Sequence, residues 1–299
     1  MNGEQNGNHY IIRYENVGME YDGRPILSGI NLRIRAGEVV SLVGPSGSGK
    51  SQLLGMLGGY ITPTTGRVIV EDEVVTRPSR DRGIVFQRYS SYPFLTAIEN
   101  VMFGLDLEAW TMLDRLMLKF FGRGKDKLEQ FRKRAEDLLL RVGLKERDFG
   151  KYPQQLSGGM QQRVAIAQAL AMNPKILLMD EPFSGLDGGT KKDLYVLLLQ
   201  LWEEHKMTIL YIGHDREEAA YLGTRIVIIS PYYESAEGSS GGSKIVFDSK
   251  TPAHVAMSTN HRFTPELNQF VEKIELIGLK PEYKARIDAF NLSHQDSMP

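Results

Sequence analysis

The chain of 299 residues carries 36 basic and 37 acidic side chains, a formal net charge of −1, and 41% of its residues are hydrophobic. That length and apolar fraction allow one large domain or two modest ones with a full core, and the balanced charge gives no global field to draw nucleic acid or an anionic membrane. With no cysteine, disulfides and thiolate metal sites are excluded, which is compatible with a reducing compartment. The stretch from Met1 to Asn8 lacks the apolar core of a secretory signal. No run approaches the about 18 apolar residues of a membrane span, so any membrane role is expected to come through a partner.

Alternating apolar and polar positions predict strands over Tyr10 to Tyr21 and over Asn31 to Arg35, and a further strand over Gly66 to Val70 follows a Thr/Pro/Gly turn. Together they read as antiparallel strands early in the chain. Between them Val39-Val40-Ser41-Leu42-Val43 is a compact apolar run bounded by glycines, the pattern of a buried strand, and Leu53, Leu54, Met56 and Leu57 follow it at helical spacing. Gly83 to Gln87 predicts a short strand ending in a polar residue, and Thr96 to Leu107 and Gln130 to Val142 have helical periodicity, with Gly143 as a C-cap. Ser157 opens an amphipathic helix that Asn173-Pro174 stops. Strands at 176–180, 207–212 and 225–230 then alternate with helices at about 190–204 and 215–222, which argues for a parallel α/β sheet. The Gly/Ser run 237–243 reads as a flexible loop, and helices are expected around 265–277 and 281–290.

Gly44-Pro45-Ser46-Gly47-Ser48-Gly49-Lys50-Ser51 fits G-x-x-x-x-G-K-[ST] and lies between the predicted strand and helix, the context this motif needs. Its glycines let successive backbone N–H groups approach phosphate oxygens while the helix that follows, with Gln52 in its first turn, points its positive end at the same anion. Lys50 is expected to reach the β and γ phosphates of a nucleotide and Ser51 to ligate Mg²⁺. Ile176 to Met179 is continuously apolar, as in a central parallel strand, and delivers Asp180 and Glu181 to the carboxyl edge where ligands bind. Asp180 suits a Mg²⁺ ligand there and Glu181 the group that orients or deprotonates an attacking water. Taken alone, an Asp-Glu pair is also an ordinary solvated strand end, and Ser157-Gly158-Gly159 is also an ordinary N-cap with turn glycines.

The motifs become specific as a set. Leu156-Ser157-Gly158-Gly159-Met160-Gln161-Gln162-Arg163 resembles the signature of the ATP-binding cassette family, and Asp180-Glu181-Pro182-Phe183-Ser184-Gly185-Leu186-Asp187 resembles its Walker B motif and D-loop. His214-Asp215-Arg216-Glu217-Glu218-Ala219 is similar to its switch histidine, Gln87 stands at its Q-loop, and Tyr21 at its adenine-stacking aromatic. The resemblance covers about residues 10–231 and implies an α/β P-loop NTPase cassette: a RecA-like parallel sheet core, an N-terminal antiparallel β subdomain and an inserted helical signature subdomain at about 88–172. It places the ATPase domain at 9–248 and leaves 249–299 as a helical appendage.

It further implies a homodimer or pseudo-dimer, head to tail, in which ATP lies between the phosphate loop of one subunit and Ser157 to Gly159 of the other. His214 then contacts the γ phosphate, Gln87 senses Mg²⁺ and relays to a partner, and Asp187 links the two sites. Met160 departs from the most familiar signature, which has Gln there; it lacks the amide's hydrogen bonds, but backbone donors at 158 and 159 remain. Met160 together with Ser91 to Val101 is similar to the branch serving nitrate, sulfonate and taurine importers. The expected assembly therefore comprises integral membrane permeases and an extracytoplasmic solute-binding protein, with no nucleic acid, and this chain peripheral on the cytoplasmic face of the inner membrane. The competing class is a soluble cassette ATPase acting on DNA or ribosomes; such proteins carry long coiled coils or fused cassettes, and this chain has neither. Trp110, Leu113, Met117 and Phe120 recur at helical spacing in a middle section longer than that branch usually has. A core-facing stripe and a docking or membrane-surface face both remain open for them.

Overall fold

The computed structural model describes residues 10–87, 90–109, 125–234, 241–252, 265–277, 279–287, 290 and 292. The chain divides into two compact units, Met1–Ser79 with Leu178–Glu181 and Leu199–Pro299 in the first, Arg80–Leu177 with Pro182–Leu198 in the second.

In the first unit, β1 (Tyr10–Tyr21), β2 (Arg24–Arg35), β4 (Thr65–Val70) and β5 (Glu73–Val74) form an antiparallel sheet in the order β2-β1-β4-β5. The β2 strand is longer than its clear alternation, because pairing with β1 runs through to Tyr21 opposite Arg24. A second sheet takes β11 (Lys244–Lys250), β9 (Arg225–Ser230), β3 (Val39–Val43), β8 (Thr208–Ile212) and β7 (Ile176–Asp180) in that order. β3 runs parallel to both β8 and β9, while β11 closes the edge antiparallel to β9. Every residue of β3, β8 and β9 is buried, as continuous apolar runs in a two-sided parallel sheet require. The helices of this unit include α1 (Lys50–Gly58), α6 (Arg216–Leu222) and α7 (Pro265–Glu275). Tyr14 of β1 donates its hydroxyl to the carbonyl of Leu53 in α1 at 3.0 Å, fixing the antiparallel sheet to the helix behind the phosphate loop.

The second unit is largely helical: α2 (Ala97–Ala109), α3 (Lys125–Arg141) and α4 (Gly158–Leu170), with β6 (Arg82–Val85) beside the start of β7. Thr96 and Glu99 form a capping box for α2, with the Glu99 carboxylate accepting from the Thr96 N–H at 2.8 Å. Its carboxyl is held below the usual range by that bond and the Thr96 hydroxyl. Gly143, at φ 77°, terminates α3 as expected of a C-cap glycine. Helix α5 (Gly188–His205) begins in this unit and ends in the first.

The structure departs from the sequence pattern near the C-terminus. Residues 281–287 form turns and a two-residue strand, β12 (Ala285–Arg286), parallel to β10 (Tyr233–Glu234), where a helix was expected. Backbone pairing with β10 outweighs the helical spacing there, as tertiary contacts commonly do for short segments. The end of the Gly/Ser run is also ordered, since Ser243 is buried and bonds to β2. The stripe at 110–121 lies outside the described residues.

At the edge of the parallel sheet Arg225 and Asp248 are 2% and 0% exposed. They form a bidentate pair at 2.7 Å for both bonds, and Arg225 donates further to the carbonyl of Arg33 and to Glu38. Burial works against the guanidinium charge, but Asp248 and Glu38 outweigh it. Removing one partner leaves an uncompensated buried charge. Asp248→Ala is expected to destabilise the protein by about 3–5 kcal/mol in urea unfolding; a loss below about 1 kcal/mol would show that the pair does not hold β9 and β11 to β2.

Candidate functional site

The phosphate loop is built by close backbone approach. A Cβ on Gly44 would sit 2.2 Å from the carbonyl oxygen of Ile229, so only glycine fits where β3 leaves the sheet. Gly49 is the N-cap of α1 at φ 90°, a left-handed conformation that costs glycine little. Lys50 folds back over the loop and donates from Nζ to the carbonyls of Gly44 and Pro45, both at 2.9 Å. Burial lowers its pKa, with Glu181 and Asp180 acting in the opposite direction. Ser46 and Gly47 face solvent, Gln52 is half-buried, and the Ser48 hydroxyl is buried without a hydrogen-bond partner among the described residues.

β7 brings Asp180 to this loop, where Asp180 Oδ1 accepts from the Ser51 hydroxyl at 3.2 Å. Burial raises the pKa of Asp180; the Ser51 bond opposes it, Glu181 adds to it and Lys50 opposes it. A hydroxyl and a carboxylate side by side are hard oxygen ligands of the kind a small divalent cation takes when phosphates complete its shell. Among the described residues no group of three His, Cys, Asp or Glu could hold a metal.

Glu181 follows at φ 43°, and its N–H donates to the carbonyl of Ile212 at the end of β8 at 2.9 Å. A non-glycine residue in that region is strained and must be held by its surroundings. Its Oε2 lies 3.3 Å from His214 Nδ1. His214 itself is exposed, and Asp215 beside it caps α6 by accepting from the N–H groups of Glu217 and Glu218 at 2.9 and 3.2 Å. His214 also lines a cavity of about 540 Å³ that Asn268, Val271 and Glu272 of α7 help to wall. Tyr21, at the end of β1, is 47% exposed, which leaves its ring available to a planar group.

The remaining expected residues belong to the second unit. Ser157 caps α4, its hydroxyl accepting from the Met160 N–H at 3.3 Å, and the N–H groups of Gly158 and Gly159 lie in the first helical turn, where no intrahelical acceptor exists. A Cβ on Gly159 would stand 2.4 Å from Thr190 Cγ2, so this glycine packs the signature against the start of α5. Asp187 caps α5, accepting from the N–H groups of Gly189 and Thr190 and from the Thr190 hydroxyl at 2.7 Å. The hydroxyl and amide of Thr190 hold its carboxyl below the usual range. Gln87 lies two residues past β6 and is exposed.

Two contributors escape the sequence motifs. Tyr60, just past α1, has its phenol pKa raised by burial and by the charge of Asp180, so it belongs to the electrostatic surroundings of the carboxylate. Leu27 of β2 lies where a Cβ on Gly49 would come within 2.5 Å of its Cδ2, making it the packing floor of the loop. A lone aromatic or leucine has no spacing signal that marks such a role.

A sequence model of the ABC transporter family matches residues 27–184. Among curated proteins, the chain is 44% identical to the nitrate import ATP-binding protein NrtD of Synechocystis sp. over 205 residues, covering 68% of this chain and 70% of that protein. It is 42% identical to the bicarbonate transport ATP-binding protein CmpD of the same organism, covering 69% and 67%. It is 41% identical to the taurine import ATP-binding protein TauB of Yersinia pestis, covering 74% and 80%. Among solved structures, a dimeric ATP-binding cassette in a post-hydrolysis state with ADP and Pi superposes with a TM-score of 0.64 at 34% identity, covering 81% of this chain and 99% of that one.

The charge balance at Asp180 yields a pH test. Because its folded pKa is raised, the residue's contribution favours the folded state below the ordinary carboxylate range and is lost as pH rises through the raised value. Asp180→Asn is therefore expected to melt at or above the wild-type temperature without ligand at about pH 7.5, the difference closing toward about pH 4, while hydrolysis of Mg-ATP falls by about 100-fold or more. A lower melting temperature at neutral pH together with retained hydrolysis would contradict both assignments.

Proposed function

The chain belongs to the ABC transporter family and is an ATPase of it, and on that premise we propose that it powers solute import through partner membrane permeases, hydrolysing Mg-ATP at the shared interface of a head-to-tail dimer. The observation that carries the catalytic part is the gathering of Lys50, Ser51, Asp180, Glu181 and His214 around one phosphate loop. In this reading the loop amides and Lys50 hold the phosphates, and Ser51, Asp180 and Gln87 hold Mg²⁺. Mg²⁺, when bound with ATP, neutralises developing charge on the phosphoryl oxygens. Glu181 takes the proton of the attacking water, and the strain at its backbone serves to aim its carboxylate. His214, 3.3 Å from Glu181, contacts the γ phosphate and keeps that carboxylate oriented. Tyr21 stacks on the adenine.

The second half of the site comes from the partner copy. Ser157, Gly158 and Gly159 present a helix N-terminus whose first-turn N–H groups and positive end suit the γ phosphate held by the partner's loop. Asp187, ionised and fixed by Thr190, links the two sites. Support for the import reading comes from the nitrate, bicarbonate and taurine proteins it is similar to, and a small anion is the solute class we favour. Among the described residues no helix is long and apolar enough to cross a membrane; in this reading the translocation path belongs to permease subunits. An extracytoplasmic solute-binding protein would deliver the solute, and this chain would sit on the cytoplasmic face of the membrane. We read 9–248 as the ATPase domain and the residues after it as an addition to it.

Glu181→Gln keeps the size and backbone of the residue but removes the proton acceptor. Turnover is expected to fall by about 100-fold to 10,000-fold while ATP affinity is kept. In size-exclusion chromatography with ATP the variant should elute as a dimer and without nucleotide as a monomer. Near wild-type turnover would take Glu181 out of this role, and an ATP-independent elution volume would remove the nucleotide-bridged dimer.

A further inference from the structure

The connection between β9 and β11 does more than join two strands. Its last residues, Gly241 to Ser243, lie along β2 as a strap, with Ser28 N–H donating to the Ser243 carbonyl at 3.0 Å and Ser243 N–H donating to the Ile26 carbonyl at 2.7 Å. The approach is close: a Cβ on Gly242 would meet backbone atoms of Leu27 at 2.9 and 3.0 Å. Leu27 in turn supports Gly49 of the phosphate loop, so strap, β2 and loop form one stack of contacts.

A cleft of about 240 Å³ opens at this stack, walled by Pro25 and Ile26 of β2, Gly47 of the phosphate loop, and Tyr233, Gly241 and Gly242. That volume is below the about 300 Å³ at which complete small-molecule sites begin, and suits one end of a larger ligand. Its position says which end. Pro25 pairs with Glu20 beside Tyr21 across the β1–β2 hairpin, so the cleft lies between the hairpin that carries Tyr21 and the loop that would hold the phosphates.

The strap is clamped from the C-terminal segment. The Tyr233 hydroxyl donates to the carbonyls of Gly241 and of Gly242, the latter at 3.1 Å. Tyr233 is buried in a cluster with Val246, Phe270 and Ile274, and its ring meets Phe290 edge-on with centroids 6.1 Å apart. Its strand β10 is paired with β12 from the end of the chain, Tyr233 opposite Ala285 and Glu234 opposite Arg286. The segment after β11 therefore reaches the cleft through Tyr233.

We propose that the Gly241–Ser243 strap, held by Tyr233 and the C-terminal segment, walls the base-and-ribose end of the nucleotide pocket and sets the affinity for ATP. The proposal rests on the reading that the phosphates lie at the loop and the base at Tyr21. Tyr233 is a positioning residue in it: the phenol orders the strap, and the ordered strap excludes water from one side of the nucleoside.

The test compares two ligands of the full chain by calorimetry, ATP and inorganic tripolyphosphate, each with Mg²⁺. Tripolyphosphate engages the phosphate loop alone, so their ratio isolates the nucleoside end. Tyr233→Phe keeps the ring but loses both carbonyl contacts, and is expected to raise the Kd for ATP about threefold to tenfold, leaving the Kd for tripolyphosphate and the turnover at saturating ATP unchanged. Phe290→Ala should act in the same direction. An unchanged ATP affinity in Tyr233→Phe, or an equal weakening of both ligands, would overturn the proposal. Tyr21→Ala separates it from the reading beneath: it should also weaken ATP and spare tripolyphosphate. If Tyr21→Ala spares both, the base is not at this end and the proposal falls with that reading. If Tyr21 is sensitive and Tyr233 is not, the strap alone is excluded.

Discussion

Charge brought into a half-buried pocket is the constraint on which the rest of this molecule depends. Burial disfavours the charge of Lys50 and of Asp180 at the same time, and each is the other's partial compensation. In a chain folding only for stability such a group of charges is a cost, since burying ions is repaid only when the pairing is excellent. Lys50 meets it by donating to two loop carbonyls, and Asp180 by accepting from Ser51. A polyanion accompanied by a small cation satisfies both sides at once, with phosphate oxygens for the ammonium and a metal for the carboxylate.

Holding that pocket requires rigid support from several directions. Gly44 is pressed against the backbone of β9, Tyr14 ties the antiparallel sheet to α1, and the Arg225–Asp248 pair fastens β9 and β11 to β2. The strained backbone of Glu181 persists because its N–H is fixed to the end of β8 and its side chain to His214. Strain of this kind is kept where the surroundings over-determine it. The segment after β11 joins the same support through α7 and Tyr233.

The parts of this arrangement legible in the sequence are those in which local chemistry and position coincide. Gly44 to Ser51 announces itself because only glycines permit the backbone approach and only a lysine and a hydroxyl complete it. The continuous apolar runs of β3 and β7 mark buried strands of one sheet, and their carboxyl ends mark the site. Ser157 reads as an N-cap from the sequence itself, Asp187 stands out only through the family resemblance, and the structure gives each a capping role that a short polar residue at a helix start would have in any fold. What could not be read depends on partners distant in sequence. The pairing of β10 with β12 overrides a helical pattern at 281–290, and the strap at Gly241 to Ser243 resembles any Gly/Ser linker until β2 supplies its hydrogen bonds. Tyr60 and Leu27 acquire their places through three-dimensional proximity alone.

The proposed import function requires ATP hydrolysis by this chain to be coupled to solute passage through separate membrane permease subunits, and that coupling is the claim most worth testing. The measurement is to tag the chain in its native cells, solubilise membranes gently, and identify what co-purifies with and without ATP. A polytopic membrane protein is expected to be recovered in amounts comparable to the chain itself. Recovery of only ribosomal, DNA-associated or other soluble partners would contradict the importer assignment while leaving the ATPase chemistry standing.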